Sequence, residues 1–247
     1  MNGPKIMFEI PIFGGIPVTE TVTNTWIIMA FIVLLSIWLT HDMKKVPSGK
    51  QVIAEKLVGM LYNMVEKNMG KGYVNFFAPY IGALFTLSAL GSLSSLLGMR
   101  PLTADFSTTL GWALLSFMMI QGNNIRCNGI KGWLKGFIEP VPLLLPINII
   151  GEIANPISMS FRHFGNIAAG MVITSLLYGA LASLSAVVLQ WIPNTFINSI
   201  PIFQLGLPAI LSIYFDLFTS FLQAYIICML TMVFVANAGS EEAARGE

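Results

Sequence analysis

Residues 157–192 read ISMSFRHFGNIAAGMVITSLLYGALASLSAVVLQWI, and Arg162 is the only residue among them that is charged at neutral pH. At about 1.5 Å per residue, a helix over this stretch runs about 54 Å. The hydrocarbon core of a bilayer is about 30 Å thick. Such a helix must tilt by about 55° or bend, against an average tilt of about 20°. A second stretch of the same kind, Phe203 to Ala238, follows after Pro193, Asn194, Asn198 and Pro201. The pair predicts two long, steeply inclined helices over 141–192 and 202–238. The first is interrupted by Pro142, Pro146 and Pro156, and the second near its start by Pro208.

The rest of the chain is of the same character. It has 247 residues, 55% of them apolar and 10% charged, whereas soluble domains carry about 25% charged residues. This excludes a disordered chain, a collagen-like chain and an ordinary soluble enzyme. A net charge of +1 offers no basic surface for nucleic acid. Cys127 and Cys228 are too few for a disulfide framework and lack metal-ligand spacing. The fold expected is an all-α integral membrane protein, a single membrane domain over 1–247 with about five crossings.

The remaining spans follow from apolar length. Residues 1–25 lack the pattern of a signal peptide and are expected outside the membrane. Trp26–Leu39, Phe76–Gly98 and Leu110–Ile120 are the first three spans. Residues 48–71 place Val52, Leu57, Met60, Leu61, Met64 and Val65 on one helical face and Lys50, Glu55, Lys56, Glu66 and Lys67 on the other. Ser48 is the expected N-cap and Gly70 the stop. This amphipathic helix suits a membrane surface, a partner subunit or simple packing on the aqueous side. Residues 123–139 read as a polar connector. The connectors after the first and third spans hold most of the Lys and Arg, which predicts both on the cytoplasmic side, the amino terminus outside and the carboxyl tail cytoplasmic.

Four ionisable residues fall within apolar stretches: Glu152, Arg162, His163 and Asp216. Charges there are costly, face a bundle interior or water, and commonly mark an ion path. A buried Arg–Asp pair locking two helices is the bland alternative. Ser158, Arg162, Gly165, Asn166 and Ala169 share one helical face, and Asp216, Ser220, Gln223 and Ile227 form a stripe on the later helix. Glu152 lies ten residues before Arg162, in the proline-broken segment. A fixed cation, exchangeable carboxylates and polar amides suit movement of protons or small cations. They do not assemble a nucleophile with its base, and no cofactor or metal is expected. His163 points about 100° from Arg162 around the helix and reads as a packing or vestibule residue rather than a ligand.

SMSFRHFGNIAAG at 158–170 resembles the signature of subunit a of the rotary F-type ATP synthase. FDLFTSFLQAYIICMLTMVFV at 215–235 resembles the last helix of that family, and RPLTADFSTTLGWALL at 100–115 and PINIIGEIANP at 146–156 are similar to its other motifs. The resemblance implies a stator subunit packed against a rotating ring of c subunits. It also implies peripheral-stalk b subunits as neighbours, the rest of the synthase complex as partner and a bacterial plasma membrane as location. It implies that protons pass through two half-channels to a carboxylate on the ring. Arg162 would be the essential arginine, Gln223 its partner, and Asn166, Glu152 and Asp216 would line aqueous access. Asp105 would lie beside the outer half-channel. Arg162, Asn166, Ser220, Gln223 and Ile227 would face the ring. Two positions depart from the family pattern: His163 stands where an apolar residue is usual, and Met171 where many relatives carry Glu or His. A stand-alone ion transporter or channel is the alternative, although no inverted repeat is visible.

Overall fold

The computed structural model describes residues 5–11, 15–139, 141–189 and 213–245; the side chains of residues 16, 189, 213, 215, 216 and 239–245 lie outside the description. Two short strands, β1 (Ile6–Ile10) and β2 (Ile16–Thr19), pair antiparallel. This hairpin precedes the helices of what is otherwise the expected all-α membrane protein. Its β-branched residues favour strand pairing, and Gly15, just before β2, takes φ +94°, which glycine adopts without strain.

The rest is helical. Helix α1 is Glu20–Thr40, α2 Lys50–Met69, α3 Val74–Leu93, α4 Phe106–Ile138, α5 Leu145–Leu189 and α6 Thr219–Arg245. Four described helical segments are long and apolar enough to cross a membrane: Glu20–Thr40, Lys71–Leu97, Pro142–Val188 and Thr219–Ala238. The crossing expected at Leu110–Ile120 is the first half of α4, which packs against both α5 and α6. Helix α1 buries only Thr21, Asn24 and Ile28. Trp26, Phe31, Leu34 and Trp38 stay exposed, as they must on a helix that meets lipid on most sides.

Three expectations change. The polar connector 123–139 is not a separate segment; it continues α4, broken only at Gly129, where φ is +66°. Such a φ strains any side chain but glycine. The prolines do not break the 141–192 stretch into pieces. Pro142 opens a 3₁₀ turn, Pro146 sits in the first turn of α5, where a missing N–H costs nothing, and Pro156 is carried inside a continuous 45-residue helix. At about 1.5 Å per residue that helix is about 67 Å long, so it cannot cross upright. Third, the cap before α2 is Gly49 at φ +57°, and Ser48 contributes only its carbonyl, which accepts from the Gln51 N–H at 3.3 Å. Gly70 ends α2 as expected, at φ +89°.

The apolar face of α2 divides. Ala54, Val65 and Met69 are buried, with Leu61 and Met64 packed against the core, while Val52, Leu57 and Met60 are exposed. The core joins α2, α3, α4 and α6 through Val65, Ile81, Trp112, Ile227, Cys228, Met232 and Val235. Small residues let the helices approach: Ala224 and Ser220 on α6 are fully buried, as membrane interfaces favour.

Candidate functional site

Helix α5 carries the site. Ser158, Arg162, Asn166 and Ala169 are all exposed, so the predicted stripe is an open face. Among the described residues nothing pairs with the Arg162 guanidinium. The opposite side of the same turns is buried. Met159, Ser160, His163 and Ile167 turn inward; Ser160 Oγ meets Thr109 Oγ1 at 3.1 Å, and His163 Nε2 meets Ser88 Oγ at 3.3 Å. The His163 ring also lies edge-on to Trp112, centroids 5.8 Å apart. These contacts hold α5 in the rotation that turns Arg162 outward. Sequence reasoning named none of Ser88, Thr109 or Trp112, because single hydroxyls and a tryptophan in apolar runs carry no local signal of their partner.

Two hollows flank Arg162 along α5. The first, about 470 Å³, lies between the start of α5 and the second half of α4 and is lined by Asn124, Trp133, Glu139, Asn148, Glu152 and Asn155. Glu152 Oε2 accepts from Gln121 Nε2 at 2.7 Å, and Gln121 Oε1 accepts from Trp133 Nε1 at 2.7 Å. The indole thereby fixes the amide so that its N–H faces the carboxylate. Asn148 Nδ2 donates to the carbonyls of Phe137 and Glu139 at 2.8 and 3.2 Å, tying the two walls together. The second hollow, about 20 Å³, lies beyond Arg162, among Ser92, Ser95, Asn166, Met171 and Ser220. Along the helix axis Glu152 is about 15 Å before Arg162 and Gly170 about 12 Å after it. The first hollow sits where α4 ends and α5 begins, and the second where α3 ends. These are opposite ends of antiparallel neighbours.

The stripe on α6 falls differently from expectation. Ser220, Gln223 and Ile227 are buried within the chain and do not share the open face of Arg162 and Asn166. The reason is that α6 packs against α2, α3, α4 and α5 at once, and its polar and small positions are continuous with its core face. The side chain of Asp216 lies outside the described residues. Its backbone lies in the π-helical turn Ile213–Phe218, closed by a 3.0 Å bond from Thr219 Oγ1 to the Tyr214 carbonyl; π turns shift a helix's register and recur at functional sites.

Asp105 stands apart from Arg162, at the start of α4. One carboxylate oxygen accepts from Arg100 Nη2 at 2.8 Å and the other from the Thr21 hydroxyl. Asn24 Nδ2 donates to the Arg100 carbonyl at 3.1 Å. Asp105 thus fastens the 98–105 loop to α1. That loop also supplies Pro101 to the wall of the smaller hollow.

The family model for the ATP synthase A chain matches residues 22–236. The chain belongs to that family. Among its relatives, "ATP synthase subunit a, sodium ion specific" of Propionigenium modestum is 33% identical over 96% of this chain and 86% of that protein. "ATP synthase subunit a" of Moorella thermoacetica is 30% identical over 93% of this chain and 94% of its own length. A further relative, "ATP synthase subunit a 2" of a Bradyrhizobium strain, is 30% identical over 94% and 93%. As a member, the chain is the stator subunit of an F-type ATP synthase, a membrane protein within that complex, and the ion it moves is a proton or a sodium ion. The stand-alone transporter reading falls with the family assignment.

Proposed function

We propose that ions cross this subunit in two offset half-channels, and that the two hollows flanking Arg162 on α5 belong to them. The single observation that carries the reading is this flanking: a wide polar cleft around Glu152 on one side, a small hydroxyl-lined cavity on the other, and an unpartnered cation on the open face between. The open stripe Ser158–Arg162–Asn166–Ala169 is the surface for a ring of c subunits. The basic connectors lie on the cytoplasmic side of a bacterial plasma membrane, with the amino terminus outside and peripheral-stalk b subunits among the neighbours. Glu152 then serves the cytoplasmic half-channel. Asp216 serves aqueous access, Gln223 supports Arg162 from behind, and Asp105 holds the outer loop in place.

The chemistry follows from charge in a poor dielectric. A ring carboxylate that faces lipid is stable only when it carries its ion, because a bare charge there is expensive. Beside the fixed positive charge of Arg162, the bare carboxylate is favoured and the ion leaves. The same guanidinium repels a cation that would pass straight from one hollow to the other. Passage therefore requires that the ring turn. Each charge moved is worth about 2.3 kcal/mol per 100 mV, so several must be coupled to each ATP.

Arg162→Ala tests this in the assembled complex. ATP-driven ion pumping and ion-driven synthesis vanish, while the subunit still assembles, since an exposed side chain is removed rather than a packed one. Retained ATP-driven pumping sinks the proposal.

A further inference from the structure

Helix α4 does not run straight on into water. Its part before Gly129 is about 34 Å long at about 1.5 Å per residue, a little more than the hydrocarbon core of about 30 Å. The break at Gly129 therefore falls where the helix reaches the membrane surface. In an unbroken helix Gln121 and Trp133 would stand about 18 Å apart along the axis. Yet Trp133 Nε1 donates to Gln121 Oε1 at 2.7 Å. The segment 130–138 thus turns aside at Gly129 and stays beside the helix it continues, instead of projecting away from the membrane.

The turned segment has three different sides. Trp133, Gly136 and Phe137 line the wide cleft around Glu152. Ile130, Leu134 and Ile138, at i, i+4 and i+8, form an exposed apolar stripe. Lys131 and Lys135 each follow a member of that stripe by about 100° and are exposed too. Lys135 Nζ meets Glu139 Oε1 at 3.1 Å but remains mostly open. Lys131 makes no ion pair among the described residues. Water would leave the apolar stripe uncovered, and an apolar protein partner would have to bury the adjoining charge at high cost. The surface of an anionic leaflet suits both sides at once. The stripe sinks into the boundary between headgroups and chains, while the lysines reach up to the phosphates.

We infer that residues 130–138 form an in-plane interfacial helix that binds the headgroups of anionic phospholipid, with its other side walling the Glu152 cleft. The inference rests on the cytoplasmic placement of the basic connectors given above.

The test uses the intact synthase in vesicles of phosphatidylcholine with a minor share of phosphatidylglycerol. Leu134→Cys, with Cys127 and Cys228 replaced, carries an environment-sensitive fluorophore. Lipid with a nitroxide at the top of its chain quenches this label, and aqueous iodide does not. Nitroxide phosphatidylglycerol quenches in preference to nitroxide phosphatidylcholine. Lys131→Gln lowers that preference about fivefold, the share of one lysine near a charged surface, and high salt lowers it as well. Ile130→Cys, one turn earlier on the same stripe, gives the same reading and serves if Leu134→Cys does not assemble. Three results overturn the inference. Quenching by iodide alone puts the stripe in water. Protection from both iodide and lipid means that another protein covers it. Equal quenching by the two lipids means boundary lipid without a headgroup site. A membrane-impermeant maleimide on Lys131→Cys reports the side separately. Reaction only from the side opposite ATP hydrolysis overturns the cytoplasmic placement, whatever the quenching shows, so the two failures are distinguishable.

Discussion

Removing the side chain of Arg100 breaks the fastening of the outer loop in a way that can be sized. Asp105 is 13% exposed and Arg100 24%, and their atoms meet at 2.8 Å. Breaking a fully buried pair from one side costs about 3–5 kcal/mol because a charge is stranded. An exposed pair is worth about 0–1 kcal/mol. This pair is mostly but not wholly covered, and Arg100→Ala leaves the carboxylate one neutral donor, Thr21. We take about 2 kcal/mol, which is about a 30-fold rise in the open population of the 98–105 loop. Native-state hydrogen exchange on the assembled complex reads this at the amides of Ala104, Thr108 and Thr109, which bond to the carbonyls of Pro101 and Asp105. Exchange there quickens about 30-fold, while amides of the α6 core do not change. The double variant Arg100→Ala with Asp105→Asn recovers much of the protection, since no charge is then stranded. Unchanged exchange, or a double variant as open as the sum of its parts, refutes the reasoning.

Two further outcomes follow from the site. Glu152→Gln keeps the bond geometry with Gln121 but removes the charge from the wide cleft; transport slows several-fold in both directions while coupling survives, as ATP-driven ion uptake and synthesis rates on inverted vesicles would record, and equal rates would remove Glu152 from the path. A cysteine at Asn166, on the open stripe, forms disulfides with cysteines near the ring carboxylate, whereas one at the buried Gln223 does not; gel-shift analysis after mild oxidation, with Cys127 and Cys228 replaced, separates them, and the reverse pattern would turn the bundle's open face around.

Much of this was legible because membranes impose simple rules. Apolar length alone marks spans, and an arginine inside one is conspicuous whatever surrounds it. The long helix was underestimated because prolines punctuate aqueous sequences more strongly than membrane ones, where neighbouring helices can satisfy the freed groups. Pro156 therefore lies within α5 instead of ending it. The polar connector 123–139 is helical for a different reason: within α4 its polar residues are spent on tertiary bonds. Asn123 Nδ2 donates to the Val235 carbonyl at 3.0 Å and Asn128 Nδ2 to that of Ala238 at 3.1 Å.

By itself the sequence determined the helical membrane class, the exceptional length around Arg162, the shared face of Ser158, Arg162, Asn166 and Ala169, and the family motifs. Those are properties of a single helix, and a period of about 3.6 residues is enough to derive them. Only the tertiary structure decided which of two polar stripes is open. Periodicity groups Ser220, Gln223 and Ile227 together, but it is silent on what that face meets, and α6 packs against α2, α3, α4 and α5 at once. The two hollows were equally out of reach, because each is walled by residues from separate helices: Trp133 beside Glu152, and Ser92 and Ser95 beside Ser220. Space between helices is set by how their side chains fit when packed, and no single segment carries it.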